Sequence, residues 1–436
     1  MHLLDEILHL QKHGKPAGIY SCCSANAYVL DAVFERGRSH NTPVLIESTA
    51  NQVNQFGGYT GMKPKDFYDY VMKKAARAGI TKEQIALGGD HLGPLTWSCL
   101  DESQAMCNAE ELVRQYVLAG FTKIHLDTSM RLGGDSVTER LSDEVVARRG
   151  MRLCMVAEAA YRQRLQEHPD AEAPAYVIGS EVPIPGGAQE GEEVAMITSP
   201  QDCVKTYRVY KETFLNAGLM DAWRRVIGMV VQVGVEFSDT DIFEYDREKQ
   251  KPLKEILKTL PIVFEGHSTD YQDPSKLKEM VEDGVAILKV GPALTFAYRE
   301  ALIAMESIEK ELYEGTGIFL SGFRAVLEYE MLADSKNWGK YYRGDGNAQK
   351  FARCFGLSDR ARYYLSVPNV DASINRLISN LRKRPIPNTL LSQYMPVQYA
   401  RMRSGQLSAD PAALIRDRIG ECIDRYLYAT IGWAKV

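Results

Sequence analysis

The sequence lacks the features that mark several broad classes of protein. No run of about 18 consecutive apolar residues occurs, so we expect no transmembrane helix and no membrane partner. Neither a GxGxxG turn nor a GxxxxGK[ST] loop is present, which disfavours nicotinamide and nucleoside triphosphate chemistry. A formal net charge of −5 provides no general attraction for nucleic acid. Small anionic ligands would need a local cluster of donors.

Cysteine pairing motifs are also missing. The eight cysteines include no CxxC pair, and no signal peptide precedes them. Reduced thiols in a cytoplasmic protein are the simplest explanation. The composition is that of an ordinary globular protein, with 45% hydrophobic and 25% charged residues, which excludes a disordered or fibrous chain.

Apolar, strand-like segments alternate with helical patterns through most of the chain. About eight such units at regular spacing predict an α/β fold, a (β/α)8 TIM barrel, over residues 1–313. A doubly wound open sheet is the alternative, but it rarely needs so many parallel units. The predicted strands span residues 17–22, 42–48, 84–90, 123–127, 176–181, 225–236, 261–265 and 285–290.

The strand pattern stops after residue 313. Segments 323–332, 374–381 and 412–428 have helical patterns, joined by the loop YYRGDGN and the proline-broken RPIPN. We predict that residues 314–436 form a helical C-terminal extension packed on the barrel. A chain of 436 residues exceeds the usual size of one domain, unless that domain is a barrel with an extension.

The stretch LGGDHLGPL presents an aspartate and a histidine side by side after a buried strand. In a barrel the loops at the carboxyl ends of the strands converge on one mouth, so Asp90 and His91 are candidates for the active site. A neutral imidazole can bind a metal, and the carboxylate beside it can move a proton. The alternative is a pair that only satisfies backbone groups of the loop.

Carboxylates dominate the predicted strand ends. Gathered at one mouth they would repel one another unless a cation or protons neutralised them, which predicts a divalent metal. Imidazole and carboxylate together suit Zn, Mn or a similar ion. Alternatively, several of these groups only accept hydrogen bonds in loops. The predicted ligands are His91, Glu236, Glu265 and His267.

A phosphate site is predicted beside the metal. The last two predicted strands end in GHST and KVGPA, where Ser268, Gly291 and a helix N-terminus can supply backbone N–H groups, and Lys289 can add charge. In the extension, the arginines of RGDG and SDRARYY either hold a far phosphate or anchor the extension by salt bridges. We favour anchoring for two of the three and assign Arg360 to the phosphate.

Ten motifs carry a resemblance to a known family. The chain resembles the tagatose-bisphosphate aldolase Z-subunit family (GatZ/KbaZ), a divergent relative of the class II, metal-dependent ketose-bisphosphate aldolases. That family includes accessory subunits that activate a catalytic Y subunit, and ketose-6-phosphate 4-epimerases. The motifs are GIYSCCSAN, LIESTANQVNQFGGYTGM, GGDHLGP, KIHLD, YVIGSEVPIPGGA, VVQVGVEF, EGHSTDYQ, AILKVGPALTFA, SDRARYY and SQYMP.

The resemblance implies roles for particular residues. Asp90 and His91 match the acid/base aspartate and the first metal histidine of the aldolases. The glycine-rich loop after Glu181 resembles their mobile loop, but Glu236 and Glu265 stand where those enzymes place metal histidines. Ordinary aldolase activity is therefore in doubt, although the metal is not, because a carboxylate can replace imidazole on a divalent ion.

We predict a metal-dependent epimerase that interconverts tagatose 6-phosphate and fructose 6-phosphate by retro-aldol and aldol steps. Asp90 would exchange the C4 hydroxyl proton, and Glu181 or Asp127 would position the substrate. Asp127 as a strand-end cap and Glu181 in an ion pair are the alternatives for those two residues. The rival function is a non-catalytic accessory subunit bound to a catalytic aldolase Y subunit, and in either case we expect a homo-oligomer.

Overall fold

The computed structural model describes residues 3–136, 138, 141–179 and 196–430. Eight parallel strands close into a barrel in the order β1-β10-β9-β6-β5-β4-β3-β2. The predicted (β/α)8 barrel with C-terminal helices is confirmed. The barrel strands are β1 (Ile19–Cys22), β2 (Val44–Thr49), β3 (Ile85–Leu92), β4 (Lys123–Leu126), β5 (Ala175–Ile178), β6 (Val226–Val231), β9 (Val263–Gly266) and β10 (Val285–Val290); a separate hairpin pairs β7 (Glu236–Phe237) with β8 (Ile242–Phe243).

Helices surround the barrel and form the extension. In the barrel region they are α1 (Leu3–Lys12), α2 (Ala27–His40), α3 (Pro64–Ala78), α4 (Glu102–Ala119), α5 (Asp143–Glu167), α6 (Pro200–Asn216), α7 (Met220–Trp223), α8 (Arg247–Leu257), α9 (Pro274–Glu282) and α10 (Pro292–Tyr313). The extension contains α11 (Phe323–Ala333), α12 (Gly346–Phe355), α13 (Pro368–Leu381), α14 (Asn388–Tyr394), α15 (Pro396–Arg403) and α16 (Pro411–Thr430). Across the parts of the chain that the structure describes, no helix is both long and apolar enough to cross a membrane.

The inside of the barrel is apolar at its amino-terminal end. Leu45, Val177 and Ile287 pack there with side chains of α1, in a cluster separate from the layer between strands and helices. Leu4 and Ile7 of α1 are buried in this cluster, so the first helix closes the bottom of the barrel. Polar and charged side chains inside the barrel consequently concentrate at the opposite end, where the strands finish.

The last helix packs on the barrel rather than away from it. Helix α16 contacts α2, α9 and α10. Arg36 of α2 forms ion pairs with Asp417 and Asp424 of α16 at 2.9 and 2.7 Å. The Tyr426 hydroxyl donates a hydrogen bond to the backbone oxygen of Thr269, in the loop after β9. The extension thus touches the loops at the barrel mouth, while the division of the chain at residue 313 stays a prediction.

The sixth barrel strand ends earlier than its sequence predicts. It stops at Val231, and the chain then forms an isolated bridge between Val233 and Ile197. Gly234 has a φ of 68°, a left-handed conformation that a strand cannot continue through. The expectation that this strand reaches Glu236 is wrong, because the turn at Gly234 moves that glutamate into the β7–β8 hairpin.

Candidate active site

A large cavity opens at the carboxyl ends of the strands. Its volume is about 780 Å³. Asp90, His91 and His267 from the barrel line its floor, and Arg360 and Arg362 from the extension line another wall. The predicted convergence of strand-end loops therefore produces a single site whose walls come from both parts of the chain.

A bulge at the end of β3 aims Asp90 and His91 into the mouth. The pairing of β3 with β4 shifts register between Gly89 and Leu92, so that the two strands are locally out of step. His91 has a φ of 46°, which is rare for a residue with a side chain and marks local strain. Gly93 must lack a side chain, because a Cβ there would lie 1.6 Å from the backbone oxygen of Asp127.

Three histidines form a triangle inside the mouth. The ring centroids of His91 and His125 are 5.2 Å apart, those of His91 and His267 are 4.8 Å apart, and those of His125 and His267 are 5.3 Å apart. All three rings are buried. Burial lowers the pKa of His267 to about 4, so this imidazole is neutral at physiological pH and has a lone pair available.

Four of the buried side chains could hold a metal ion together. One ligand atom from each of Asp90, His125, Glu265 and His267 lies within 4.8 Å of every other. His125 Nδ1 lies 3.1 Å from Asp90 Oδ1 and accepts the backbone N–H of His91 at 3.2 Å. Within the described residues this buried Nε2 has no hydrogen-bond partner. An unpaired imidazole nitrogen beside two carboxylates fits a divalent ion such as Zn or Mn.

Asp127 both orients His91 and caps the end of β4, where its Oδ1 accepts the backbone N–H of Ser129. Its Oδ2 lies 2.7 Å from His91 Nδ1, and its Oδ1 accepts from the hydroxyl of Ser129. Burial alone would raise the pKa of Asp127, but the hydrogen bond and charge of His91 lower it to about 2. A carboxylate that fixes one nitrogen of an imidazole leaves the other free for a metal or substrate.

Two buried lysines compensate the carboxylates at the strand ends. Lys123 Nζ lies 2.8 Å from Glu47 Oε1 and 2.7 Å from Glu265 Oε2. Lys289 Nζ lies 2.9 Å from Glu47 Oε2 and 3.0 Å from Asp90 Oδ1. Burial raises the pKa of Glu265, but Lys123 and Lys289 outweigh it and hold that pKa well below its usual value. The repulsion predicted among these carboxylates is thus relieved by the chain itself, and the fit to a metal depends on His125 instead.

Several predicted site residues have other surroundings. Glu236 is buried in the β7–β8 hairpin, where its Oε1 accepts from the N–H of Phe237, and it is not a member of the group of four. Glu181 lies outside the described residues. Lys289 is engaged by carboxylates. Ser268, Gly291 and Arg360 line the cavity. The backbone N–H of Gly291 donates to Asp270 Oδ1 at 3.1 Å, so the expectation that it binds phosphate is wrong.

His125 and the lysine bridges were not among the predicted features of the site. His125 lies in KIHLD, two residues before Asp127 and two after Lys123, so the alternation of a strand places all three on one face. That alternation was the available signal. It was not decisive because a strand buried on both faces does not show which face is inside the barrel.

Comparisons with known proteins agree with the fold. The profile of the family described as D-tagatose-1,6-bisphosphate aldolase subunit GatZ/KbaZ-like matches residues 4–431. A probable tagatose 6 phosphate kinase from Sinorhizobium meliloti 1021 is 41% identical, with a TM-score of 0.85, over 94% of this chain and 100% of that chain. The YdjI aldolase from Escherichia coli K12 is 12% identical, with a TM-score of 0.41, over 82% of this chain and 95% of that one, which is too low to transfer residues or activity.

Proposed function

Because the chain belongs to the D-tagatose-1,6-bisphosphate aldolase subunit GatZ/KbaZ-like family, we propose that it is a divalent-metal-dependent epimerase that interconverts tagatose 6-phosphate and fructose 6-phosphate. One observation carries this proposal. Among the described residues, the buried Nε2 of His125 has no partner, and His125 belongs to a group of imidazole and carboxylate donors. A buried polar atom left unpaired needs an explanation, and a ligand supplies one.

The proposed ligands of Zn, Mn or a similar ion are three members of the group of four, His125, His267 and Glu265. His91 is added from outside the group, because its ring centroid lies 5.2 Å from that of His125 and 4.8 Å from that of His267. Each histidine has one ring nitrogen beside a carboxylate, which leaves its other nitrogen available. We leave Glu236 out of this set because the hairpin holds it apart. When bound, the ion would polarise the C2 carbonyl of a ketose and stabilise negative charge that develops there.

Asp90 is the proposed proton-transfer residue. The C4 hydroxyl of a 2-ketose is β to the carbonyl, so Asp90 can take its proton while the C3–C4 electron pair moves toward C2. C4 then becomes an aldehyde. Rotation of that fragment, re-formation of the bond to its other face and return of the proton from Asp90 invert C4 without redox chemistry. Asp127 would keep His91 in place, and Glu181 stays a predicted substrate-positioning residue.

Retention of the aldehyde fragment distinguishes this reaction from aldolase cleavage. The cavity of about 780 Å³ has room for a hexose phosphate to turn. Its outer wall comes from the extension, where Lys336, Tyr341 and Arg360 face the barrel mouth. A wall on that side favours recapture of the aldehyde fragment over its release into solvent.

The decisive experiment uses the purified chain alone. We expect metal-loaded protein to convert fructose 6-phosphate into tagatose 6-phosphate, followed by NMR. Asp90→Asn should retain the metal and lose turnover, and His125→Ala should lose both. His40→Ala, at an exposed histidine, is the control and should change neither. Normal turnover in His125→Ala would rule out the proposed metal centre.

An accessory role is the second candidate, because the matching family is described as an aldolase subunit. In that case the metal-loaded chain would show no interconversion, and a catalytic aldolase subunit would gain activity when the chain is added. Assembly into a homo-oligomer and a cytoplasmic location belong to either function. All eight cysteines are free thiols, as a reducing compartment would require.

A further inference from the structure

Four basic side chains of the extension line the outer wall of the cavity. We call Lys336, Lys340, Arg360 and Arg362 the extension cationic wall. Throughout the described parts of the chain, no carboxylate lies within ion-pair distance of any of them. Other arginines of the extension are paired, for example Arg353 with Glu328 at 2.6 Å. The four basic side chains that face the cavity have no such carboxylate partner among the described residues.

Arg360 is buried without a counter-charge. Only 4% of its surface is exposed. Its guanidinium lies over the ring of Tyr341 at 3.1 Å from the centroid, and within the described residues its buried Nε has no hydrogen-bond partner. Burial lowers the pKa of Arg360, and the charge of Arg362 lowers it further. A buried charge is costly unless it is paired, so an anion in the cavity would relieve that cost.

Arg362 is held in position beside Arg360. Its Nη1 donates to the backbone oxygens of Ser358 and Asp359, and its Nη2 donates to the Tyr363 hydroxyl at 2.9 Å. The Tyr363 ring in turn packs edge-on against Tyr59, from the loop after β2, with centroids 5.0 Å apart. A guanidinium fixed in this way is prearranged for a phosphate group and keeps unused N–H donors.

The other anion cradle expected in the barrel is already filled. Asp270 Oδ1 accepts hydrogen bonds from the backbone N–H groups of Gly291 and Ala293, at 3.1 and 2.8 Å. Pro292 between them has no N–H group, and the next two N–H groups of α10 bond to the backbone oxygen of Gly291. The start of α10 thus has no donor left in its first turn. Burial raises the pKa of Asp270 to about 6, although the two hydrogen bonds and the charge of Arg362 lower it, so its carboxylate is charged at pH 7.5.

The geometry points to a cavity selective for ketose monophosphates: the phosphate binds Arg360 and Arg362, the start of α10 offers no second anion cradle, and the charge of Asp270 on the cavity wall disfavours a ketose bisphosphate. The choice of a ketose rests on the proposed function, whereas the anion site does not. C1 and C6 are the two ends of a hexulose chain. A chain with one end on the extension cationic wall directs its other end away from those arginines, toward walls without a free anion cradle among the described residues.

Calorimetric binding tests the inference without turnover. The full chain, in EDTA so that no metal supplies anion affinity, is titrated with inorganic phosphate, fructose 6-phosphate and fructose 1,6-bisphosphate. We expect the monophosphate to bind at least about tenfold more tightly than the bisphosphate. Arg360→Met and Arg362→Met should each weaken binding of phosphate and of fructose 6-phosphate at least about tenfold. Lys350→Met, on an exposed lysine of α12, is the charge-matched control and should bind normally.

Asp270→Asn provides the complementary gain of function. Asparagine keeps an oxygen that can accept from Gly291 and Ala293, so the start of α10 stays capped. Loss of the negative charge should improve binding of fructose 1,6-bisphosphate at least about tenfold, and binding of fructose 6-phosphate by a smaller factor because it carries one phosphate group fewer. Equal wild-type affinity for the two sugars, or no gain in Asp270→Asn, would overturn the selectivity.

The outcomes separate this inference from the proposed function. Arginine-dependent binding of fructose 6-phosphate without any C4 inversion would contradict the epimerase proposal and support the phosphate site. Turnover that survives in Arg360→Met with unchanged KM would contradict the phosphate site and support the epimerase proposal. Arg360→Lys serves as the folding control, since it keeps the charge and should recover part of the affinity lost in Arg360→Met.

Discussion

The floor and the outer wall of the cavity differ in whether their charged side chains form ion pairs. At the floor, Lys123 and Lys289 bridge Glu47, Glu265 and Asp90 at distances between 2.7 and 3.0 Å. At the wall, Arg360 and Arg362 have no carboxylate of the described residues within ion-pair distance. Lys289 and Arg360 both line the cavity and are each 4% exposed, so the difference does not reflect exposure alone. Paired charges at the floor hold a fixed geometry, whereas the unpaired arginines at the wall can bind an anionic ligand.

The largest effect, on the free energy of unfolding, is expected when ion pairs at the cavity floor are removed. In Lys123→Met, Glu47 and Glu265 lose the ammonium group that they share, and an uncompensated buried charge costs about 3–5 kcal/mol of unfolding free energy. The measurement is the midpoint of thermal unfolding at neutral pH. Lys65→Met is the control, because Lys65 pairs with Asp69 on the exposed face of α3. A midpoint for Lys123→Met equal to that of the control would show that the floor is not held by these pairs.

A smaller effect is expected within the histidine triangle. Asp127→Asn removes the charge that orients His91 and keeps its shape, so affinity for Zn or Mn should fall about 10–100-fold while the fold persists. Metal titration with a competing chelator measures this. Asp221→Asn, at an exposed aspartate of α7, should leave the metal affinity unchanged. If Asp127→Asn binds metal like the wild type, His91 needs no orienting carboxylate.

The smallest effect is expected at the exposed part of the wall. Lys340 is exposed, so Lys340→Ala should weaken phosphate binding only about two- to fivefold at low salt. At 1 M salt the screening length is about 3 Å and this difference should vanish, whereas the loss in Arg360→Met should persist. Calorimetry at the two salt concentrations compares them. If the loss of phosphate affinity in Arg360→Met also vanished at 1 M salt, Arg360 would contribute no more than an ordinary exposed charge.

Local patterns predicted the elements of the barrel well. Strand β10 has the predicted bounds, and α3 begins at Pro64, where a first turn tolerates proline. The site was harder, because its residues depend on which face of a strand points inward. His125 and Lys123 were missed for that reason, and Glu236 was placed at a strand end that Gly234 prevents.

The sequence by itself determined the alternation of strands and helices, the order of the strand-end residues and the family of the chain, because these follow from local periodicity and motif order. Only the tertiary structure decided which charges meet. Lys123 and Glu265 lie far apart along the chain but share one ion pair, and Asp270 covers the start of α10. Barrel closure brings such groups together, and no short-range pattern records a contact made by closure.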